Sequence, residues 1–214
     1  QAFVQAAKYA QAMGLEMIEL HSAHGYLLHE FLSPIANQRT DSYGGNFAGR
    51  TRFPLQVFQA VRKVFDGVFG VRLSATDWID GGWTLEETAD FALMLKQAGA
   101  DFIHISSGGI APQQKISIGP GYQVPFAHHV RQKTQMPTIA VGLITQPQQA
   151  EDVLVKGEAD LVALGRSFLY PCAVSSGWFM GVNSYRNWRP LLFSRCHLLC
   201  AQAPRARGQV LWLS

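Results

Sequence analysis

The chain has 214 residues, 48% of them hydrophobic and only 15% charged, which suits one sizeable core and argues against a disordered segment. No apolar run reaches the roughly 20 residues that span a bilayer, and the three cysteines (Cys172, Cys196, Cys200) come late and in odd number, unlike a disulfide framework. The net charge is +3, yet residues 1–171 hold 13 Lys and Arg against 15 Asp and Glu while residues 172–214 hold five Arg and no acid, so the main body carries no nucleic-acid footprint.

In chain order, "QAFVQAAKYAQAMG" predicts an amphipathic helix over 3–13 without the charged n-region or cleavage site of a signal peptide, and the protein is expected in the cytosol. "LEMIELH" (15–21) reads as a strand and runs into His21-Ser-Ala-His24-Gly-Tyr26. The 25 residues from His29 to Phe53 follow, too long for a passive connection and supplied with Phe, Leu, Ile and Tyr to pack themselves, so they are expected to be a functional loop. Helical period then covers 50–65. Strands are predicted at 68–74 "VFGVRLS", 101–106 "DFIHIS", 137–142 "PTIAVG" and 160–165 "DLVALG", separated by helices at 84–98, 122–134 and 146–157. Gly99 and Gly157 mark helix ends.

Near-continuous apolar strands alternating with helices predict a parallel α/β sheet covered on both faces, as an open doubly wound sheet or as a (β/α) barrel. The polar residues favour the barrel. Each strand carries its unusual residue at or past its C-terminal end: His21 and His24, Arg72, Ser106 and Ser107, Gly142, then Gly165 with Arg166. A doubly wound sheet gathers its site at one switch point, whereas a barrel draws on many strand tips around one rim. No GxGxxG follows the first strand. A complete barrel has eight strands, and five are visible, so the chain is expected either to lack three N-terminal strands or not to close.

Several of these residues point to chemistry. Gly142 and Gly165 would let backbone N–H groups approach a phosphate, and Arg166 would add a cationic fork, although a turn plus a surface arginine is the plain alternative. Arg72 interrupts a buried strand and needs an electron-rich partner; an internal carboxylate such as Glu19 is the structural alternative to a ligand. The His21/His24 pair could satisfy backbone groups, bind a substrate oxygen or serve as metal ligands, but no third ligand accompanies it. Cys196, His197 and Cys200 lack the second pair that a structural zinc needs. No metal is expected.

The segments "ELHSAHGYLLHEFLSPIANQRTDSYGG", "VRLSATD", "HISSGG", "GPGYQVPFA", "AVGLIT" and "DLVALGRSFL" together resemble the flavin-dependent ene-reductases of the old yellow enzyme group, in particular the bacterial YqjM-like and xenobiotic reductase branch. The resemblance runs from residue 1 to about 170. It implies a TIM (β/α)8 barrel holding FMN at the C-terminal rim, here covering about strands 4 to 8. It implies that His21 and His24 bind a substrate oxygen, that Tyr26 donates the proton, that Arg72 lies beside the flavin ring, and that Ser106, Gly142, Gly165 and Arg166 bind the phosphate. NAD(P)H would be the reductant, and enones, nitro compounds or quinones the substrates. The intact family member could form a homo-oligomer; neither nucleic acid nor membrane is an expected partner.

The chain departs from the family in two places. The first three strands, which supply the other half of the flavin cradle, have no counterpart. Residues 1–171 are expected to form the barrel part, and 172–214, rich in Cys, Trp and Arg and free of carboxylates, read as an atypical tail from a shifted reading frame. Two other functions stay in view: a non-catalytic remnant of the family, and a metal-dependent barrel lyase or hydrolase using His21 and His24.

Overall fold

The computed structural model describes residues 1–165 and the backbone of 210–213. Helices α1 (Ala2–Ala12), α2 (Leu27–Leu32), α3 (Phe47–Arg62), α4 (Leu85–Gln97), α5 (Val124–Thr134) and α6 (Pro147–Val155) alternate with strands β1 (Met17–Ser22), β2 (Val68–Ser74), β3 (Phe102–Ser106), β4 (Thr138–Ala140) and β5 (Leu161–Val162), and β6 (Val210–Leu213) comes last. All strand pairs are parallel, in the order β5-β4-β3-β2-β1-β6.

The order of the first five strands is sequential, with no reversal. Right-handed crossovers stepping always in one direction lay their helices on one face of a sheet. The core shows this face: Ile18, Leu20, Phe69, Val71, Leu73, Ile103 and Ile105 pack with Ala7, Phe58, Phe91, Leu95 and Val130 from the helices. Phe58 and Phe69 stack with centroids 4.5 Å apart. This is the helix placement expected of a (β/α) barrel rather than of a doubly wound sheet. The opposite face holds a separate floor of Met17, Phe102 and Ile139 contributed by strands alone, as the inward face of a singly wound sheet does. On the same face, one register row carries His21, Arg72 and His104 and ends at Ile139.

The stretch expected to be one long loop is not one. It contains all but the start of α2 and the beginning of α3, leaving residues 33–46 as the connection. Six residues are too few to reveal a helical period, which is why α2 escapes sequence reading. Helix α3 starts three residues before its predicted start because the Asn46 side chain caps it, accepting from Gly49 N–H at 3.0 Å. The connection is held from within: Arg50, 7% exposed, donates to Leu32 O and Gly45 O and pairs with Glu87. Asn37 donates to the carbonyls of Phe31 and Tyr43.

Gly99 and Gly157 follow α4 and α6 with φ of 93° and 67°, the left-handed conformation expected at helix ends. Strands β4 and β5 are shorter than predicted, at three and two residues. Helix α4 begins with a reciprocal cap, Thr84 accepting from Glu87 N–H while the Glu87 carboxylate accepts from Thr84 N–H. Thr84→Ala is expected to lower stability by about 1 kcal/mol, read as a shift in the urea midpoint at constant slope; an unchanged midpoint would show that the cap carries no weight. The tail expected over 172–214 lies outside the described residues apart from β6, whose backbone pairs with β1.

Candidate active site

Strand β1 ends on the inward face at His21, and the next residues turn sharply: His24 has φ 58° and Gly25 φ 77°. Gly25 admits no side chain, since a Cβ there would collide with the Gly109 carbonyl from the loop after β3. The turn is tied to β2, with His24 N–H donating to Ser74 Oγ at 3.1 Å and Ser74 Oγ donating to Gly108 O at 2.8 Å. The consequence is a compact aromatic group: the His21 ring lies 5.2 Å from His24 and 4.9 Å from Tyr26. Tyr26 is 54% exposed and His21 only 9%, so the tyrosine faces solvent above a buried imidazole.

Both imidazoles are neutral at physiological pH. Burial, followed by the nearby Arg72 charge, lowers the pKa of His21 to about 4 and that of His24 to about 3. A neutral imidazole presents one N–H donor and one acceptor, so the pair can polarise an oxygen without transferring a full charge. The unfolded chain binds these protons near pH 6.5 and the folded one does not. Folding stability from the pair is therefore complete above pH 6.5 and declines as pH falls toward 4, by up to about 1.4 kcal/mol per pH unit for each imidazole. Thermal melts from pH 7 to pH 4 should show this slope, and His21→Gln should flatten it; an equal slope in the variant would assign it elsewhere.

Beneath the pair lies a charged layer. Arg72 is flanked in register by His21 and His104; burial lowers its pKa and the Glu19 carboxylate opposes that shift. Glu19 and His104 are 2% and 3% exposed, and the His104 Nδ1 stands 2.9 Å from Glu19 Oε2. They reach each other across β2, Glu19 in register with Gly70 and His104 in register with Arg72, while the Phe102 ring lies over Gly70. Glu19 thus serves both as Coulomb partner of Arg72, as weighed from sequence, and as acceptor for His104. Sequence reading missed His104, although its in-strand parity with Arg72, each two places before the serine that closes its strand, was a usable signal.

The remaining strand tips continue the rim. Ser106 Oγ contacts His24 Nε2 at 2.6 Å, so a residue expected at the phosphate and one expected at the substrate touch directly. Ser107 Oγ donates to Gln123 Oε1 at 2.6 Å, and Gln123 Nε2 donates to Val141 O at 2.9 Å. Gln123 thereby links the tips of β3 and β4; it sits at a helix start with no sequence signal for this role. Gly142 has φ 121°, and a Cβ there would meet the Gln123 amide. Among the described residues nothing stands within 4 Å of a Cβ position at Gly165. Arg166 lies outside the described residues. Among the described residues no group of three or more His, Cys, Asp or Glu side chains is placed to hold a metal ion, so the metal-dependent reading finds no ligand set there. Likewise, no helix among them is long and apolar enough to cross a membrane.

Residues 1–174 match the NADH:flavin oxidoreductase / NADH oxidase family. The chain belongs to that family. The family is enzymatic, with FMN as cofactor and NAD(P)H as reductant. The chain is 47% identical over 169 residues to an NADPH dehydrogenase of Geobacillus thermodenitrificans, covering 79% of this chain and 49% of the relative. It is 46% identical over 169 residues to an NADPH dehydrogenase of Bacillus subtilis, covering 79% and 50%. The chain spans about half the length of these curated relatives. Among solved structures, a 2-naphthoyl-CoA reductase in complex with 2-naphthoyl-CoA superposes with TM-score 0.70 at 31% identity, covering 76% of this chain and 26% of that one. Morphinone reductase superposes with TM-score 0.62 at 31% identity, covering 78% and 44%.

The rim residues of this oxidoreductase-family chain fit an FMN-like group. Two neutral imidazoles, a guanidinium, the Ser106 hydroxyl and the backbone N–H at Gly165 are donors suited to a phosphate and an electron-rich ring. The buried carboxylate of Glu19 stands one register step below the rim and is engaged by His104.

Proposed function

We propose that this chain is the part of an FMN-binding TIM barrel covering about strands 4 to 8, within the YqjM-like and xenobiotic reductase branch of the old yellow enzyme group, and that its activity is NAD(P)H-dependent ene-reduction. The substrates are enones, nitro compounds or quinones. The observation that carries this reading is the His21–His24–Tyr26 cluster, with both imidazoles neutral and hydrogen-bond competent, on the same strand-tip rim as Arg72, Ser106 and Gly142. The fragment assignment is supported by the half-length coverage of the relatives.

FMN, when bound, supplies hydride transfer between NAD(P)H and substrate. His21 and His24 donate hydrogen bonds to the substrate carbonyl or nitro oxygen and draw electron density from the conjugated bond, each worth about 3 kcal/mol in the manner of an oxyanion hole. His24 leaves Ser106 to do so. Tyr26, exposed beside them, gives its proton to the substrate α-carbon and regains one from solvent. Arg72 would hold its cation beside the flavin, whose reduced ring carries negative charge, with the Glu19 carboxylate favouring the charge of the guanidinium. Ser106, Gly142, Gly165 and Arg166 take the phosphate.

The test is one anaerobic spectrum. The purified chain loaded with FMN should lose its flavin absorbance on NADPH addition and recover it on addition of 2-cyclohexenone. A colourless protein unable to retain FMN would instead favour a non-catalytic remnant, a second reading supported by the same half-length coverage. Residues 172–214 we read as the product of a shifted frame, a reading supported by the family match stopping at residue 174. Detection of a tail peptide at its predicted mass together with an uninterrupted reading frame in the resequenced gene would overturn that. We place the protein in the cytoplasm, and fractionation of cells expressing it tests this.

A further inference from the structure

Behind the substrate turn lies a second polar network that the proposed chemistry does not use. His29, on α2, is fully buried, and so is Asp77, just past β2. His29 Nδ1 lies 2.9 Å from Gly25 N, and His29 Nε2 lies 2.9 Å from Asp77 Oδ1. Asp77 Oδ2 accepts from Ser33 Oγ at 2.7 Å and from Trp83 N–H at 2.7 Å.

The chemistry allows one tautomer. A backbone N–H can only donate, so Nδ1 facing Gly25 is the acceptor and the ring proton sits on Nε2, where it donates to Asp77. Asp77 is ionised: burial alone would raise its pKa, but hydrogen bonds from His29, Ser33 and Trp83 outweigh that and hold it below the usual range. The Gly25 amide belongs to the left-handed His24–Gly25 pair, whose placement sets the direction of both neighbouring side chains. Left-handed backbone at a non-glycine such as His24 costs free energy and persists only where surrounding contacts hold it.

We propose that His29 and Asp77 are positioning residues: Asp77 selects the His29 tautomer that anchors the Gly25 N–H, and this anchor aims His24 and Tyr26 at the rim. The role rests on the reading of that rim as the substrate face.

Two sets of variants test it. Asp77→Asn offers an N–H to His29 Nε2, which shifts the ring proton to Nδ1 and sets it against the Gly25 N–H. His29→Asn and His29→Leu both lose the Asp77 contact, but asparagine keeps an acceptor near the Nδ1 position. The first readout is NMR on the chain without FMN. The two His29 ring nitrogens should exchange their 15N characters in Asp77→Asn, and the Gly25 amide proton should move upfield there and in His29→Leu but remain close to its parent position in His29→Asn. If the Gly25 amide behaves alike in His29→Asn and His29→Leu, or stays in place in Asp77→Asn, the proposal fails. That comparison stands even if Asp77→Asn does not fold.

The second readout is kinetic, on FMN-loaded protein. Turnover of 2-cyclohexenone should fall about 100-fold in Asp77→Asn and His29→Leu, recover in His29→Asn, and leave KM for NADPH unchanged. Equal turnover in His29→Asn and His29→Leu would overturn the proposal. Inability of the parent chain to retain FMN would count against the proposed function, while the NMR comparison would still decide the role of His29 and Asp77.

Discussion

His21→Ala is expected to lower enone turnover by about 10²–10³-fold, the cost of removing one donor from a preorganised oxyanion site, while FMN content stays close to that of the parent. His21 closes β1 on the inward face, 9% exposed, with its ring set against His24 and Tyr26. Its low pKa, about 4, means that the lost group is a neutral donor, so its removal changes no charge near Arg72 at neutral pH. The loss should therefore appear in substrate turnover rather than in cofactor retention. Stopped-flow traces separate the two half-reactions: flavin reduction by NADPH should be little changed and reoxidation by 2-cyclohexenone slowed. Loss of FMN from His21→Ala would mean that the imidazole supports the cofactor, and the assigned role would be wrong.

Glu19→Leu is expected to destabilise the fold by about 3–5 kcal/mol, the range for breaking a buried charged pair by removing one partner. Two groups lose their counterpart at once: His104 Nδ1, which stands 2.9 Å from the carboxylate, and Arg72, whose charge the carboxylate favours. The double change Glu19→Leu/His104→Phe should recover part of the loss, because the imidazole no longer seeks a buried acceptor. Urea unfolding of parent, both single variants and the double variant gives the coupling directly. A Glu19→Leu midpoint within about 0.5 kcal/mol of the parent would show that water or another group replaces the carboxylate, and Arg72 would then not depend on it.

Much of the fold is legible in the residues alone. The five strands in 1–165 sit where apolar β-branched runs predict them, and Gly99 and Gly157 end helices because their left-handed backbone has no competitor in the local sequence. Short elements are not legible. Helix α2 has six residues, less than two turns, and its start is fixed by the turn that His29 anchors rather than by periodicity.

By itself the sequence determined the alternation of strands and helices, the polar residues at their C-terminal ends and the motif set that marks the family, because those depend on local period and residue type. Tertiary structure alone decided three things. It set the helices on one face of the sheet through a sequential strand order. It carried Glu19 to His104 across the intervening strand, 85 residues apart in the chain. And it made neutral donors of His21 and His24 by burying them beside Arg72. Burial and through-space charge are sums over neighbours distant in sequence, so no local pattern encodes them.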